Sequence, residues 1–243
     1  MTGCTFLPVG DCALTIEFGN EISEELSGKV RSLSLALKEA NIHGVLEWVP
    51  TYRSIMICYN PSMITYRRLT RLVSRLVKRT SQSSQAGKRV WEIPVCYGGA
   101  NGEDLGFVAS NAGLSPEDVV NMHAGKEYRI YMLGFLPGFA YLGGLDKRIH
   151  TPRLKTPRTR IPPGSVGIGG EQTGIYPIAS PGGWQLIGRT PLKPYDPSRA
   201  LPILFEAGDY LRFVSIDQQR FDQIAKQVEA GTYKYRLAQE GLL

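Results

Sequence analysis

The stretch QTGIYPIASPGGWQLIG, residues 172–188, contains no Asp, Glu, Lys, Arg or His, and it combines Gly, Pro, Tyr and Trp more densely than an ordinary strand does. Glycine and proline stay frequent on both sides of it, over residues 136–208, and the short apolar runs there follow no helical period. Such a pattern indicates tightly curved β-structure rather than a helical bundle. The sequence therefore predicts a closed or nearly closed β-barrel.

Uncharged polar and aromatic side chains in this stretch form a candidate binding wall. Their rings, hydroxyls and amides stack or hydrogen-bond at any physiological pH. A glycine among them lets a ligand approach the backbone N–H groups. The alternative is a turn that a tryptophan anchors in the protein core. The residues expected to bind a substrate are Gln172, Thr173, Tyr176, Gly183, Trp184 and Gln185.

A repeated Thr-Pro-Arg motif precedes this wall. In HTPRLKTPRTRIPPGS, residues 150–165, Arg153 and Arg158 each follow a proline directly. Because proline fixes its own φ, less chain freedom is lost when the next guanidinium binds an anion. A carboxylate or a phosphate would suit the geometry of arginine. The alternative is that both arginines are exposed loop residues, since three further cations lie nearby: Lys147, Lys155 and Arg160.

Common catalytic and targeting motifs are absent from the sequence. There is no P-loop, no G-x-S-x-G elbow and no H-E-x-x-H helix, and the glycines at 167–174 lack the spacing of a dinucleotide fingerprint. The four cysteines show no C-x-x-C spacing, so we expect no metal site. With no leader-like N-terminus and no apolar run of about 18 residues, we expect a cytoplasmic protein without a membrane partner.

The N-terminal half predicts a separate α+β domain. A strand at 8–18, a helix from Ser23, strands at 45–49 and 54–59 and a helix at 61–78 give the order β-α-β-β-α. That order is typical of ferredoxin-like units. The polar run TSQSSQAGKR at 80–89 has the composition of a linker. We therefore predict two domains, an α+β domain at 1–85 and a mainly-β domain with a C-terminal helix at 86–243.

The predicted helix at 61–78 holds much of the net charge of +6. Its arginines recur at helical spacing opposite leucines and valines, so the helix is amphipathic. Two interpretations remain open, a solvated basic face or a docking surface for an acidic partner. No aromatic residues alternate with the cations, and we therefore expect no nucleic-acid partner.

Four segments carry a resemblance to a known family: YMLGFLPGFAYLGGL, HTPR…PR…IPPGSVGIGG, QTGIYPIASPGGWQLIGRTP and FEAGDYLRFV. Together they closely resemble the family of 5-oxoprolinase B subunits, also described as KipI-like kinase A inhibitor or allophanate hydrolase subunit 1. The likeness covers almost the whole chain and is most specific at 131–191. Pro163 departs from the alanine that is usual in the family. No Ser-Ser-Lys arrangement supports the allophanate hydrolase description.

The resemblance implies both a fold and an activity. The fold is an α+β N-terminal domain followed by a cyclophilin-like β-barrel domain. The activity is that of an ATP-dependent 5-oxoprolinase subunit, which hydrolyses 5-oxoproline (pyroglutamate) to L-glutamate with ATP cleavage. The implied partners are the other two proteins of the enzyme, a second cyclophilin-like one (the C-subunit type) and a third one (the A-subunit type). The implied cofactors are ATP and Mg²⁺, bound where the proteins meet. The chain alone is expected to be inactive.

Within that hypothesis, ATP activates an unreactive lactam by phosphorylating its amide oxygen, and positive groups must stabilise the phosphoryl charge. The catalytic candidates are then Arg153, Arg158 and Ser165. Two alternative functions belong to other classes of protein. A non-catalytic protein that inhibits a sensor histidine kinase would expose an apolar patch on the barrel. Prolyl isomerase activity rests on fold analogy alone.

Overall fold

The computed structural model describes residues 4–80 and 89–238. Contacts between Cα atoms divide the chain into two compact units, Met1–Gly87 (the N-terminal unit) and Lys88–Leu243 (the C-terminal unit). Each unit has its own cluster of buried apolar side chains. The domain boundary predicted at 85/86 and most of the predicted linker lie outside the described residues, and that boundary stays a prediction.

The N-terminal unit is a four-stranded antiparallel sheet with two helices, in the order β1-β2-β4-β3. Its core joins both helices to alternate residues of β2 and β4. The helix from Ser23 and the strands β3 and β4 are confirmed. The helix rich in arginine is confirmed too, but it begins at Tyr66 and not at residue 61. The element bounds are β1 Thr5–Val9, β2 Ala13–Glu17, α1 Glu24–Ala40, β3 Val45–Pro50, β4 Ser54–Tyr59 and α2 Tyr66–Thr80.

The single strand predicted at 8–18 is wrong, because this segment contains a turn. Gly10 has a φ of 56°, in the left-handed region that glycine adopts at little cost. The chain reverses there, and β1 pairs antiparallel with β2. Apolar residues continue on both sides of the turn, so periodicity alone does not reveal it.

The C-terminal unit is built on one strongly curved sheet with the path β10-β9-β12-β5-β13-β6-β7, with β14 paired to β5. The two ends of this path, β7 and β10, contact each other, so the predicted nearly closed barrel is confirmed. The separate strands β8 and β11 pair with each other. The strand bounds are β5 Val90–Tyr97, β6 Glu127–Leu133, β7 Ala140–Gly143, β8 Arg158–Ile161, β9 Ser165–Gly169, β10 Gln172–Ile175, β11 Ser180–Gly182, β12 Gln185–Arg189, β13 Tyr210–Ser215 and β14 Leu237–Ala238.

Three helices pack on this sheet: α3 Leu105–Ala112, α4 Pro116–Ala124 and α5 Gln218–Glu229. The predicted start of α4 is confirmed, since Ser115, directly before Pro116, forms a reciprocal capping box with Asp118. Across the described residues, no helix combines the length and apolar character that crossing a bilayer requires.

A small apolar cluster lies apart from the barrel core and marks the candidate site. It contains Phe139, Ile161, Tyr176, Trp184 and Leu186. Phe139 directly precedes β7, Ile161 ends β8, and Tyr176 directly follows β10. Trp184 and Leu186 lie at the start of β12. Rings from distant parts of the sequence therefore meet beside the barrel.

Candidate functional site

A pocket of about 150 Å³ opens against this small cluster. Arg153 is the one side chain of its described lining that carries a charge at neutral pH; the rest are aromatic rings and glycine backbone. The lining residues are Phe135, Phe139, Tyr141, Arg153, Tyr176, Gly182, Gly183 and Trp184.

Phe139 organises the aromatic wall of the pocket. Its ring makes edge-to-face contacts with Tyr141, Tyr176 and Trp184, with centroids 5.1, 5.7 and 5.7 Å away. Aromatic pairs favour this geometry because the positive edge of one ring meets the negative face of the other. The Tyr176 and Trp184 side chains are nearly buried, so packing fixes the ring surfaces that the pocket presents.

Glycine provides the room that these rings occupy. A Cβ atom on Gly169 would lie 2.3 Å from Cδ1 of Trp184, and one on Gly182 would lie 2.6 Å from the Tyr176 hydroxyl oxygen. Both distances are far below van der Waals contact. The high glycine content of this region therefore has a packing cause near the pocket.

Arg153 lies at the mouth of the pocket with its guanidinium carbon 5.7 Å from the centre of the Trp184 ring. A cation is attracted to the negative face of an indole, which holds the side chain in place. No carboxylate among residues 4–80 and 89–238 forms an ion pair with it. The guanidinium donors thus remain open to an anion that enters the pocket.

Arg158, by contrast, is held by carboxylates. Its Nη2 donates to both carboxylate oxygens of Asp104 at 2.9 Å, and its Nε lies 2.9 Å from Glu103. Its Nη1 donates to the carbonyl oxygen of Trp184 at 3.3 Å. The guanidinium therefore fixes the backbone behind the pocket and is not part of the pocket lining.

Asp104 is a residue that sequence reasoning missed. Besides binding Arg158, it accepts a hydrogen bond of 2.6 Å from the backbone nitrogen of Leu186. It stands immediately before α3, where an acidic residue is a common feature of a helix start. That signal indicates a helix terminus, and it gives no hint of the link to β12.

Phe135 is a second residue whose position the sequence did not reveal. Its side chain is 66% exposed at the pocket rim, and its φ is 63°. A bulky residue in the left-handed region is rare and strained, and such strain concentrates at functional sites. The ring contacts Phe139 edge to face at 5.6 Å.

Of the nine site residues predicted from the sequence, Arg153, Tyr176, Gly183 and Trp184 line the pocket. Gln185 lies close by, and its amide donates to the carbonyl oxygen of Pro152 at 2.9 Å, next to Arg153. Ser165 and Gln172, at the starts of β9 and β10, are not in the pocket lining. Whether these residues act on a substrate stays a prediction.

Thr173 belongs to a polar chain in the barrel interior. Its hydroxyl donates to the carbonyl oxygen of Gly167 at 3.0 Å and contacts Nε2 of His123 at 2.8 Å. Since the hydroxyl has one proton, it accepts from Nε2–H, and Nδ1 of His123 then accepts from the Tyr97 hydroxyl at 2.8 Å. The imidazole is neutral, because burial lowers the pKa of His123 to about 3.

The electrostatics of the pocket follow from the same packing. Burial raises the pKa of Tyr176, and this effect is opposed by a backbone hydrogen bond from Trp184 and by the charges of Arg153 and Arg158. The phenol is therefore protonated at neutral pH and can donate a hydrogen bond. Within the described parts of the chain, no group of three His, Cys, Asp or Glu side chains could hold a metal ion.

Comparisons with known proteins agree with this architecture. Residues 4–205 match the family described as carboxyltransferase domain, subdomain C and D. The B subunit of 5-oxoprolinase from Bacillus subtilis (strain 168) is 43% identical over 223 residues, which cover 88% of this chain and 93% of that protein.

Two solved structures extend the comparison. TTHA0988 is 40% identical with a TM-score of 0.76, over 84% of this chain and 40% of that longer one. The urea carboxylase of Kluyveromyces lactis has a TM-score of 0.78 over 97% of this chain and 24% of its own, at 21% identity, which shows a shared fold alone. From the family match and the similarity to the Bacillus protein together, the chain belongs to the family of 5-oxoprolinase B subunits, within the carboxyltransferase C and D domains.

Proposed function

We propose that the chain is one component of an ATP-dependent 5-oxoprolinase and that its pocket binds 5-oxoproline for hydrolysis to L-glutamate. One observation carries the proposal: Arg153, without a carboxylate partner in the described chain, lies over Trp184 at the mouth of an otherwise uncharged pocket. The substrate has the matching chemistry, a neutral lactam ring with one carboxylate. The name of the Bacillus subtilis relative supports the same substrate.

The size of the pocket suits a single small ring. Cavities of about 150 Å³ bind molecules the size of benzene. In the proposed pose the lactam ring lies against Trp184, its carboxylate accepts hydrogen bonds from Arg153, and the Tyr176 hydroxyl donates to the lactam carbonyl oxygen. Charge-assisted hydrogen bonds to arginine are the strongest of these contacts.

Two residues act in this proposal by positioning others. Arg158 holds the carbonyl of Trp184 and thereby the indole that faces the ring. Gln185 holds the carbonyl of Pro152, directly before Arg153. Pre-positioned contacts of this kind lower the entropy that binding costs.

The pocket contains only part of the catalytic machinery. Its described lining has no Asp, Glu, His or Lys that could take a proton from an attacking water. Its volume lies below the roughly 300 Å³ at which pockets for larger ligands begin, and the sequence has no P-loop, so the pocket does not fit a nucleotide. We therefore assign no step to ATP or Mg²⁺ here and propose that partner proteins supply their sites.

The proposal includes an architecture and two partners. We propose an α+β domain at 1–85 and a cyclophilin-like barrel domain at 86–243. A second cyclophilin-like protein, together with the third component of the enzyme, would complete the site. The exposed ring of Phe135 at the pocket rim supports contact with such a partner, because covering it removes apolar surface from water.

Reconstitution tests the proposal. The isolated chain and the chain combined with its two candidate partners are assayed for ADP release that depends on 5-oxoproline. We expect turnover by the complex and none by the isolated chain, because the described lining of the pocket has no Asp, Glu, His or Lys to act as a general base. Robust turnover by the chain alone would refute the shared site. An inactive complex, together with inhibition of a sensor histidine kinase by the chain, would favour the regulatory alternative.

A further inference from the structure

A cleft in the N-terminal unit has no part in the proposed function. It lies between the end of α1, the loop before α2 and one face of α2, and its volume is about 370 Å³. That volume falls in the range of small-molecule sites, roughly 300–1,000 Å³. The lining residues are Ala40, Asn41, Ile42, His43, Met63, Ile64, Arg68, Leu72, Arg75, Leu76 and Arg79.

The floor of this cleft is apolar. Ile64 is buried, and Ile42, Leu72 and Leu76 pack partly buried against the core of the unit. Met63 stands at the edge with 45% of its side chain exposed. A ligand with a hydrocarbon body would cover this surface and remove it from water.

The rim of the cleft is positive. Arg68, Arg75 and Arg79 are spaced by seven and four residues, so they share one face of α2 and span about 16 Å along its axis. None of the three forms an ion pair with a described residue. The sequence of α2 contains no Asp or Glu, and neither does the described lining of the cleft.

The cleft is more specific than a solvated basic face. Arg71 and Lys78 are also exposed on α2 and lie outside the lining, whereas the three rim arginines flank leucines that line the cleft. Stacked bases would need aromatic platforms, and the described lining has none apart from the His43 imidazole. The apolar floor of the cleft and its rim of arginines are together complementary to a molecule with a hydrocarbon body and an acidic head.

We propose that this cleft binds a small amphipathic acid, with its hydrocarbon body on Ile64, Leu72 and Leu76. Its carboxylate lies on Arg75 and Arg79, the two rim arginines that are one helical turn apart. Decanoate is the probe, and isothermal titration calorimetry with the full-length chain is the measurement. We expect saturable binding of decanoate below its micellar concentration. Acetate, which lacks the body, and decyltrimethylammonium, which has the opposite charge, should both bind at least about tenfold more weakly.

Matched variants test whether decanoate binds in this cleft. Arg75→Gln should weaken decanoate binding about fivefold, as expected for the loss of one partly exposed ion pair. Met63→Ser should weaken it by removing apolar contact at the rim. Arg71→Gln removes the same charge from the same helix outside the cleft and should leave binding within about twofold of the wild type. These exposed positions leave the buried core unchanged, which circular dichroism checks.

Several results would overturn the proposal: no decanoate binding, equal binding of the ammonium compound, or equal effects of Arg75→Gln and Arg71→Gln. Loss of binding in Arg153→Gln would instead assign the acid to the pocket of the C-terminal unit. Anionic phospholipids also combine a hydrocarbon body with an acidic head, so vesicles of anionic phospholipid are tested separately. If the chain binds vesicles and does not bind free decanoate, the cleft is a membrane-surface contact and the proposal fails.

Discussion

Arg158 and Asp104 link two segments that are 54 residues apart, with Nη2 of the arginine 2.9 Å from each carboxylate oxygen. The same carboxylate accepts from the backbone of Leu186, and the same guanidinium donates to the carbonyl of Trp184. The start of β12 is thus held from two sides. The position of the Trp184 indole in the pocket depends on this link.

Asp104→Asn should therefore lower the free energy of unfolding by about 2 kcal/mol, since a mostly buried guanidinium loses the more buried of its two carboxylate partners. Urea denaturation measures the change. Glu103→Gln is the matched control, because Glu103 binds the same guanidinium from a side chain that is 60% exposed. Its effect should stay below about 0.5 kcal/mol. Equal losses of stability in the two variants would show that the buried contact with Asp104 contributes no more than the exposed contact with Glu103.

Gly169→Ala should displace the Trp184 ring. The new methyl group would lie 2.3 Å from Cδ1 of the indole, and overpacking of this kind costs about 1–3 kcal/mol. We expect that loss in thermal unfolding, together with a changed fluorescence spectrum. The control is Gly106→Ala in α3, where the methyl group meets nothing within 4 Å, and it should stabilise the helix by about 0.5–1 kcal/mol. A Gly169→Ala protein as stable as the wild type would contradict the packing described here.

The buried His123 makes stability depend on pH. Its pKa is lowered to about 3 in the folded chain, against about 6.5 when unfolded. Between these values the unfolded chain binds a proton that the folded chain does not, so the contribution is complete above pH 6.5 and is lost as the pH falls towards 3.

This difference predicts a slope of up to about 1.4 kcal/mol per pH unit in the free energy of unfolding. Urea denaturation of the wild type and of His123→Gln between about pH 6 and pH 4 tests it. The variant should be less stable at neutral pH, because it disturbs the contacts with Tyr97 and Thr173. Its free energy of unfolding should nevertheless change less with pH than that of the wild type. If the free energy of unfolding changed with pH equally in both proteins, the neutral buried imidazole would not be the cause of the pH dependence.

Local rules made part of the fold predictable. Ser23 caps α1, Asn41 ends it with a φ of 39°, and the capping box of α4 involves residues three positions apart. Signals of this kind lie within one helical turn and can be recognised in the sequence. The nearly closed barrel was likewise predictable from the density of glycine and proline.

The remaining features depend on contacts between distant segments. Asp104 meets Arg158 across 54 residues, and His123 meets Thr173 across 50. Tertiary packing decides both contacts, and nothing in the local sequence indicates which partners that packing brings together. For the same reason the sequence does not distinguish Arg153 from Arg158, although Arg153 faces a pocket and Arg158 is held by two carboxylates.

Steady-state kinetics of Arg153→Gln in the reconstituted complex test most directly whether the pocket binds the acid through this guanidinium. We predict a KM for 5-oxoproline raised about tenfold or more, from the loss of a charge-assisted hydrogen bond, with kcat within about twofold of the wild type. Lys155→Gln, an equal change of charge two residues further along, should leave KM unaltered. An unchanged KM in Arg153→Gln, or an equal rise in both variants, would contradict the account.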